Sequence, residues 1–248
     1  MESLLDESVR KSRMPARLDL AQSLSGLALG LFMWAHLILV SSILLGKDAM
    51  LAVTRFMEAS FLRPDEPHGY PIIVCAVAVA VSFLFVLHAG LAMRKFPATW
   101  RENRIFRSHM SMMQHTDTNQ WYTQAATGFI MFFLGSVHLY AMMTQYDKIG
   151  PYESSDRIVT GWFWPLYLVL LFSVELHAAI GMYRLSVKWG VFDGKDPRQT
   201  RKRLKRAKKI LTVFFLTLGL LSLGAYVKIG IEHRDRAGER YAVSTVSR

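Results

Sequence analysis

The chain has 248 residues, 52% of them hydrophobic, and carries 20% charged residues at a mean hydropathy above zero. That combination excludes an ordinary soluble domain and requires the charges to be segregated from the apolar residues. A net charge of +11 would suit nucleic acid, but Lys and Arg gather beside apolar runs instead of along a soluble face with interleaved aromatics, so the partner is the membrane surface. The single cysteine, Cys75, excludes an iron–sulfur cluster, a disulfide or a covalently attached c-type haem held by this chain alone, and reads as a small core residue.

In chain order, five apolar stretches of membrane-spanning length alternate with charge-rich connectors, at about 22–45, 71–93, 121–145, 161–187 and 209–230. A charged segment of about 20 residues precedes the first, with no small-residue cleavage site after it, so this stretch reads as a retained span and not a signal peptide. Pro71 suits the first turn of span two; Thr116, Asp117 and Thr118 suit the cap of span three; Pro165 falls in the first turns of span four. The expected fold is an all-α integral membrane protein, residues 1–248 forming one domain of five transmembrane helices. Lys and Arg number four before span one, five in connector two and ten in connector four, nineteen in all, against three, two and five on the other side. The positive-inside rule therefore predicts a cytoplasmic N-terminus and a C-terminus on the outer side. The run RQTRKRLKRAKK at 198–209 reads as a stop-transfer and headgroup anchor, with docking of a soluble subunit as the sharper alternative.

Eight histidines are present, of which His68, His109, His115 and His233 fall in connectors or the tail, where an imidazole needs no explanation. His36, His88, His138 and His177 each lie inside a different apolar span, where an ionisable side chain is costly and usually functional. At about 1.5 Å rise per residue their depths from the cytoplasmic ends are about 21 Å (His36), 26 Å (His138), 8 Å (His88) and 15 Å (His177). They form two levels, His36 with His138 in the outer half and His88 with His177 in the inner half.

Two histidines at matching depth on facing helices are what bis-imidazole haem ligation needs, so two b-type haems are expected. Zinc would want more ligands than either level offers. Gly135, Ala89, Gly90, Ala178, Ala179 and Gly181 leave room beside the histidines for a flat macrocycle, although small residues also serve helix packing. Haem propionates need donors at the membrane boundary. Ser154 and Arg157 lie just before span four on the outer side; Gln22, Ser23, Trp121 and Lys188 lie at the inner ends of spans one, three and four. An aromatic belt and snorkelling charges are their ordinary reading. Glu175, two residues before His177 and inside span four, is protonated, paired or part of a proton path. Glu58, in the outer connector, is either solvated or a proton acceptor for a quinol oxidised near the outer haem.

Longer runs now become recognisable: KSRMPA at 11–16, HAGLAMRKFP at 88–97, ATGFIMFFLGSVHLYAMMTQ at 126–145, WPLYLVLLFSVELHAAIGMYRLSVKWGVFDG at 164–194 and GAYVK at 224–228. From about residue 11 to 230 the chain resembles the dihaem cytochrome b anchor of bacterial menaquinol:fumarate reductases and succinate:quinone oxidoreductases. The resemblance implies His36 and His138, and His88 and His177, as haem ligands, Glu58 as the quinol-site glutamate, and Glu175 as the glutamate that carries protons across the membrane. Asp65 or Glu66 takes the place of Glu58 under a different alignment of the outer connector. It also implies partners at the cytoplasmic face, a flavoprotein with covalent FAD and an iron–sulfur subunit, in a dimer of heterotrimers in the bacterial inner membrane. Menaquinol would be oxidised by this subunit and fumarate reduced to succinate on another.

Three other functions are weighed against this one. Succinate oxidation by quinone runs the same anchor in reverse. A hydrogenase or formate dehydrogenase cytochrome b also holds two haems with membrane histidines, but lacks the runs above. A haem-free scaffold or proton-conducting transporter would use the histidines as a proton path and show no reduced b-type band.

Overall fold

The structure, a computed structural model, describes residues 13–62, 69–97, 99–113 and 116–242, with the side chains of 111, 113, 116 and 117 excepted. Among the described residues all regular structure is helical, and five helices are long and apolar enough to cross a membrane. These are α1 (Met14–Val40), α3 (Ile72–Met93), α5 (Thr116–Thr144), α7 (Trp164–Trp189) and α8 (Pro197–Glu232). Their continuous apolar runs suit a solvent in which every backbone polar group must be satisfied within the helix. Large side chains such as Phe83, Phe133 and Phe214 point outward, as lipid-facing residues do.

Three shorter helices fill the connectors: α2 (Lys47–Met57), α4 (Trp100–Met113) and α6 (Pro151–Val159). The sequence reading treats these segments as plain charged linkers. Each is amphipathic instead, lying at the end of the bundle with its backbone satisfied internally and one face against the spans. The basic run at 198–209 forms the opening turns of α8, so this helix starts at Pro197 and not near 209; its N-cap Asp196 accepts hydrogen bonds from the Arg198 and Gln199 backbone N–H groups. Helix α3 starts one residue after Pro71, which serves as its N-cap, and Pro165 sits in the first turn of α7. Helix α5 begins at Thr116, inside the triplet expected to cap it; the side chains of Thr116 and Asp117 lie outside the described residues.

Packing gives the spans a definite order. α1 packs on α3, α3 on α5, α5 on α7, and α7 returns to α1, while α8 lies outside this ring against α7 and α1. The four ring helices are the four that carry a histidine. One end of the bundle gathers Asp19, Arg94, Lys95 and Lys188; the opposite end carries α2, α6 and the C-terminal tail.

Candidate functional site

In a four-helix ring, α1 and α5 occupy one diagonal and α3 and α7 the other. His36 on α1 and His138 on α5 face each other with ring centroids 6.3 Å apart, and His88 on α3 and His177 on α7 with centroids 6.4 Å apart. One metal between two imidazole nitrogens at about 2 Å each, plus half a ring on either side, separates centroids by roughly 6 Å. Both separations match that span, and neither pair makes a direct ring–ring stack.

The same helices fix the distance between levels. On α1, Gly26 lies against His88, ten residues before His36; on α5, Gly128 lies against His177, ten residues before His138. Ten helical residues rise about 15 Å, and two independent helices give the same figure.

The His88–His177 pair is held in one tautomer. His177 Nδ1 lies 2.8 Å from the Gln124 carbonyl, which can only accept, so the proton is on Nδ1 and Nε2 is left as a lone pair. His88 Nδ1 lies 3.0 Å from Ser25 Oγ, whose own hydroxyl donates to the Gln22 carbonyl at 3.1 Å. That chain ends in a carbonyl and sets the same tautomer. A Cβ on Gly26 would fall 2.7 Å from His88 Cε1, and one on Gly128 3.1 Å from His177 Cε1, so both rings lie flush against backbone. In the other pair Phe32 stacks on His36 at 5.9 Å and Tyr167 meets His138 edge-on at 5.5 Å. His138 Nδ1 is buried with no hydrogen-bond partner among the described residues. The centroid separation fits a flat macrocycle ligated by each pair, and at His88 and His177 the tautomer and the glycine contacts fit it as well.

The boundary residues sit at the two ends as follows. Lys188 pairs with Asp19 at 3.3 Å, an aspartate also met by Lys95 at 2.9 Å and Arg94 at 3.5 Å. Ser23 donates to the Asp19 carbonyl, Gln22 Oε1 is buried with no partner among the described residues, and Trp121 packs edge-on against Phe106. At the opposite end Arg157 Nε donates to Gln145 Oε1 at 3.1 Å and its terminal nitrogen to the Lys148 carbonyl, with Tyr167 within hydrogen-bonding reach. Ser154 Oγ accepts from the Gly150 N–H at 3.4 Å.

Glu175, on α7, is fully buried; the Trp34 indole N–H of α1 donates to Oε2 at 3.1 Å, and Oε1 is buried with no hydrogen-bond partner among the described residues. Trp34 lies two residues from His36 and Glu175 two from His177, so this one bond bridges the interval between the levels. Glu58 closes the end of α2 and is 2% exposed. The next residue, Ala59, has φ +52°, a conformation that side chains other than glycine adopt at a cost, and the returning chain donates from Tyr70 N–H to the Glu58 carbonyl at 2.6 Å. Gly69 lies so close to that carbonyl that a Cβ would collide with it. Asp65 and Glu66 lie outside the described residues.

Sequence reasoning missed Trp34, Ser25, Gln124, Gly26 and Gly128. The repeated ten-residue Gly-to-His interval on two spans was the available signal. His233 overturns the reading that tail histidines need no explanation: it is 2% exposed, with Nδ1 3.0 Å from Asp156 Oδ1. His68 and His115 lie outside the described residues.

Fold and site define a class: a helical membrane protein whose four-helix ring holds two histidine pairs on its diagonals. The family model of the succinate dehydrogenase/fumarate reductase transmembrane subunit matches residues 100–218. The chain is 55% identical over 226 residues to the fumarate reductase cytochrome b subunit of Wolinella succinogenes, covering 91% of this chain and 87% of the relative. It is 48% identical over 230 residues to the fumarate reductase cytochrome b subunit of Helicobacter pylori, covering 92% and 87%. This chain belongs to the family of fumarate reductase cytochrome b subunits.

Proposed function

We propose that this chain is the membrane anchor, in a bacterial inner membrane, through which menaquinol oxidation at the outer face drives fumarate reduction by a flavoprotein and an iron–sulfur subunit docked at the cytoplasmic face. The observation that carries it is the pair of diagonal histidine couples, 6.3 and 6.4 Å between centroids, stacked about 15 Å apart along the bundle. His36 and His138, and His88 and His177, would each hold one haem b, a one-electron carrier when bound, with Arg157 and Ser154 serving the outer propionates and Lys188, Trp121, Gln22 and Ser23 the inner ones. The relatives' names favour this reading over a hydrogenase or formate dehydrogenase cytochrome.

The chain's own residues then do two things with protons. Oxidation of a quinol releases two electrons and two protons; Glu58, buried at the outer end and oriented by the Ala59 and Gly69 backbone, accepts a proton from the quinol hydroxyl and passes it outward. Each electron that crosses toward a cytoplasmic acceptor moves charge inward, and a proton moved the same way through Glu175 cancels it. Trp34 holds the Glu175 carboxyl group between the two levels for that transfer.

A redox titration of the haem absorbance in the purified complex, run beside quinol-driven fumarate reduction, tests the assignment. Two resolved b-haem transitions with activity are expected; one transition or none would break the four-histidine reading, and two without fumarate activity would move the chain to another enzyme. Replacing Glu175 by Gln should stop quinol-driven turnover while both haems stay bound. Full activity in that variant would remove Glu175 from the proton path.

A further inference from the structure

The end of the bundle that carries Glu58 is tied together by a set of side chains with no part in the scheme above. His233, at the C-cap of α8, is buried and places Nδ1 3.0 Å from Asp156 Oδ1 on α6. The other carboxylate oxygen of Asp156 accepts the Gly238 backbone N–H at 2.9 Å. Tyr152 of α6 stacks flat on the imidazole, with centroids 3.9 Å apart and planes 13° apart. The hydroxyl of Tyr152 meets Lys47 Nζ at 3.3 Å, at the first residue of α2. Tyr241 packs edge-on against Tyr152 at 5.1 Å and donates its hydroxyl to Asp48 Oδ1 at 2.8 Å, again on α2. Arg240 reaches the Asp147 carbonyl at 3.2 Å and its carboxylate at 3.6 Å, just before α6.

The helices so joined are the two that matter at this end. α2 terminates in Glu58, and α6 carries Ser154 and Arg157, the latter adjacent to Asp156. Helix α8 reaches α6 because residue 230 is glycine, where a Cβ would fall 2.6 Å from both the Ser155 carbonyl and Val159 Cγ2. One turn deeper, the Tyr226 hydroxyl lies 3.1 Å from the Val40 carbonyl and 3.2 Å from Met50 Sδ of α2.

We propose that residues 233–241 form a clasp that locks α2 and α6 together over the outer end, and that His233 is a positioning residue for the quinol site. The clasp rests on the reading of Glu58 as the quinol-site acid. Buried hydrogen bonds to a carboxylate exceed neutral ones in strength, so the His233–Asp156 bond is the pin and the exposed Tyr241–Asp48 bond the outer catch. Without the pin, the buried tie between α8 and α6 is lost, only the exposed Gly238–Asp156 and Arg240–Asp147 contacts and packing remain, and the spacing between Glu58 and Arg157 is held less firmly.

The test uses the assembled complex with His233→Phe, which keeps the stack on Tyr152 and deletes the hydrogen bond, and His233→Asn, whose side-chain amide can donate where Nδ1 does. His233→Phe is expected to raise the KM for a menaquinol analogue roughly tenfold, the scale of effect of a sub-ångström misplacement. Fumarate reduction driven by a viologen radical that feeds the soluble subunits directly, and the haem absorbance, should not change. Tryptic cutting at Arg234, Arg236 and Arg240 should accelerate. His233→Asn should restore both KM and protection. Should His233→Phe not assemble, Tyr241→Phe carries the same test with a smaller shift in KM. Unchanged tryptic cutting overturns the clasp; faster cutting with unchanged KM overturns the positioning role. Glu58→Gln, measured in parallel, separates the two readings: full quinol activity in that variant with a raised KM in His233→Phe discards Glu58 and keeps the clasp, whereas loss of quinol activity in Glu58→Gln with no change in His233→Phe discards the clasp alone.

Discussion

A methyl group on Gly26 would sit 2.7 Å from His88 Cε1, and one on Gly128 3.1 Å from His177 Cε1. Real Cβ atoms essentially never approach as near as the first distance, whereas a neighbour yielding a few tenths of an ångström relieves the second. His88 cannot yield without loosening the Ser25 bond that orients it, at 3.0 Å. Gly26→Ala should therefore lose one haem per chain, read as haem extracted per protein, while Gly128→Ala keeps both and shifts the potential of one transition in a redox titration. Equal haem content in the two variants would contradict the cradle. The histidines themselves were legible in the sequence because an imidazole inside an apolar span stands out and helical rise converts residue number to depth. Their supports were not, because glycine, serine and a backbone carbonyl at 124 look the same whether they hold an imidazole or merely pack helices. Trp34 was hidden likewise: a tryptophan in a span reads as apolar bulk until its N–H is seen 3.1 Å from the Glu175 carboxylate.

At the scale of elements, the spans were legible and the surface helices were not, since hydropathy marks what lies within the bilayer and says little about what lies along its edge. The signals were nevertheless present: Gly46 ahead of Lys47–Met57, and Gly150 ahead of Pro151 at the first position of Pro151–Val159, are helix starts. Helix α8 shows the opposite case, a start placed too late. Its first turns carry Arg198, Arg201, Lys202 and Arg203, cations at the positive end of the helix dipole, where they are unfavourable. Asp196 offsets this with two accepted N–H bonds and a negative charge. Asp196→Ala should thus destabilise the start of α8 by about 1 kcal/mol, lowering the thermal midpoint followed by helical circular dichroism in detergent; an unchanged midpoint would show that headgroups or a partner hold that end instead. In the tail, donation to Asp48 raises the Tyr241 phenol above its ordinary value, with partial burial and the Asp48 charge adding to it. A raised phenol means that the bond is fully present below about pH 10 and is lost only as pH climbs through the elevated value. The difference in tyrosinate absorbance between the parent chain and Tyr241→Phe should rise at higher pH than that of a free tyrosine, and a normal midpoint would remove the catch from the clasp.

For the whole molecule, the diagonal arrangement follows from an economy of topology. Four sequential spans closed into a ring leave two diagonals, and placing one histidine per helix at alternating depth puts each pair across one of them. The ends then differ in chemistry, with Lys188, Lys95, Arg94 and the start of α8 at one and α2, α6 and the tail at the other. The proposed function requires the first end to face the cytoplasm, because Glu58 must release protons outward. Thiol accessibility decides this. In a chain with Cys75 replaced by Ala, cysteine is introduced separately at Glu239, exposed in the tail, and at Lys202, exposed near the start of α8. A membrane-impermeant maleimide added to intact cells should label Glu239→Cys and leave Lys202→Cys untouched until the membrane is opened. The positive-inside count of nineteen against ten predicts that result. The reverse labelling would place Glu58 on the cytoplasmic side, and the inward proton through Glu175 would then add to the charge moved by each electron instead of cancelling it.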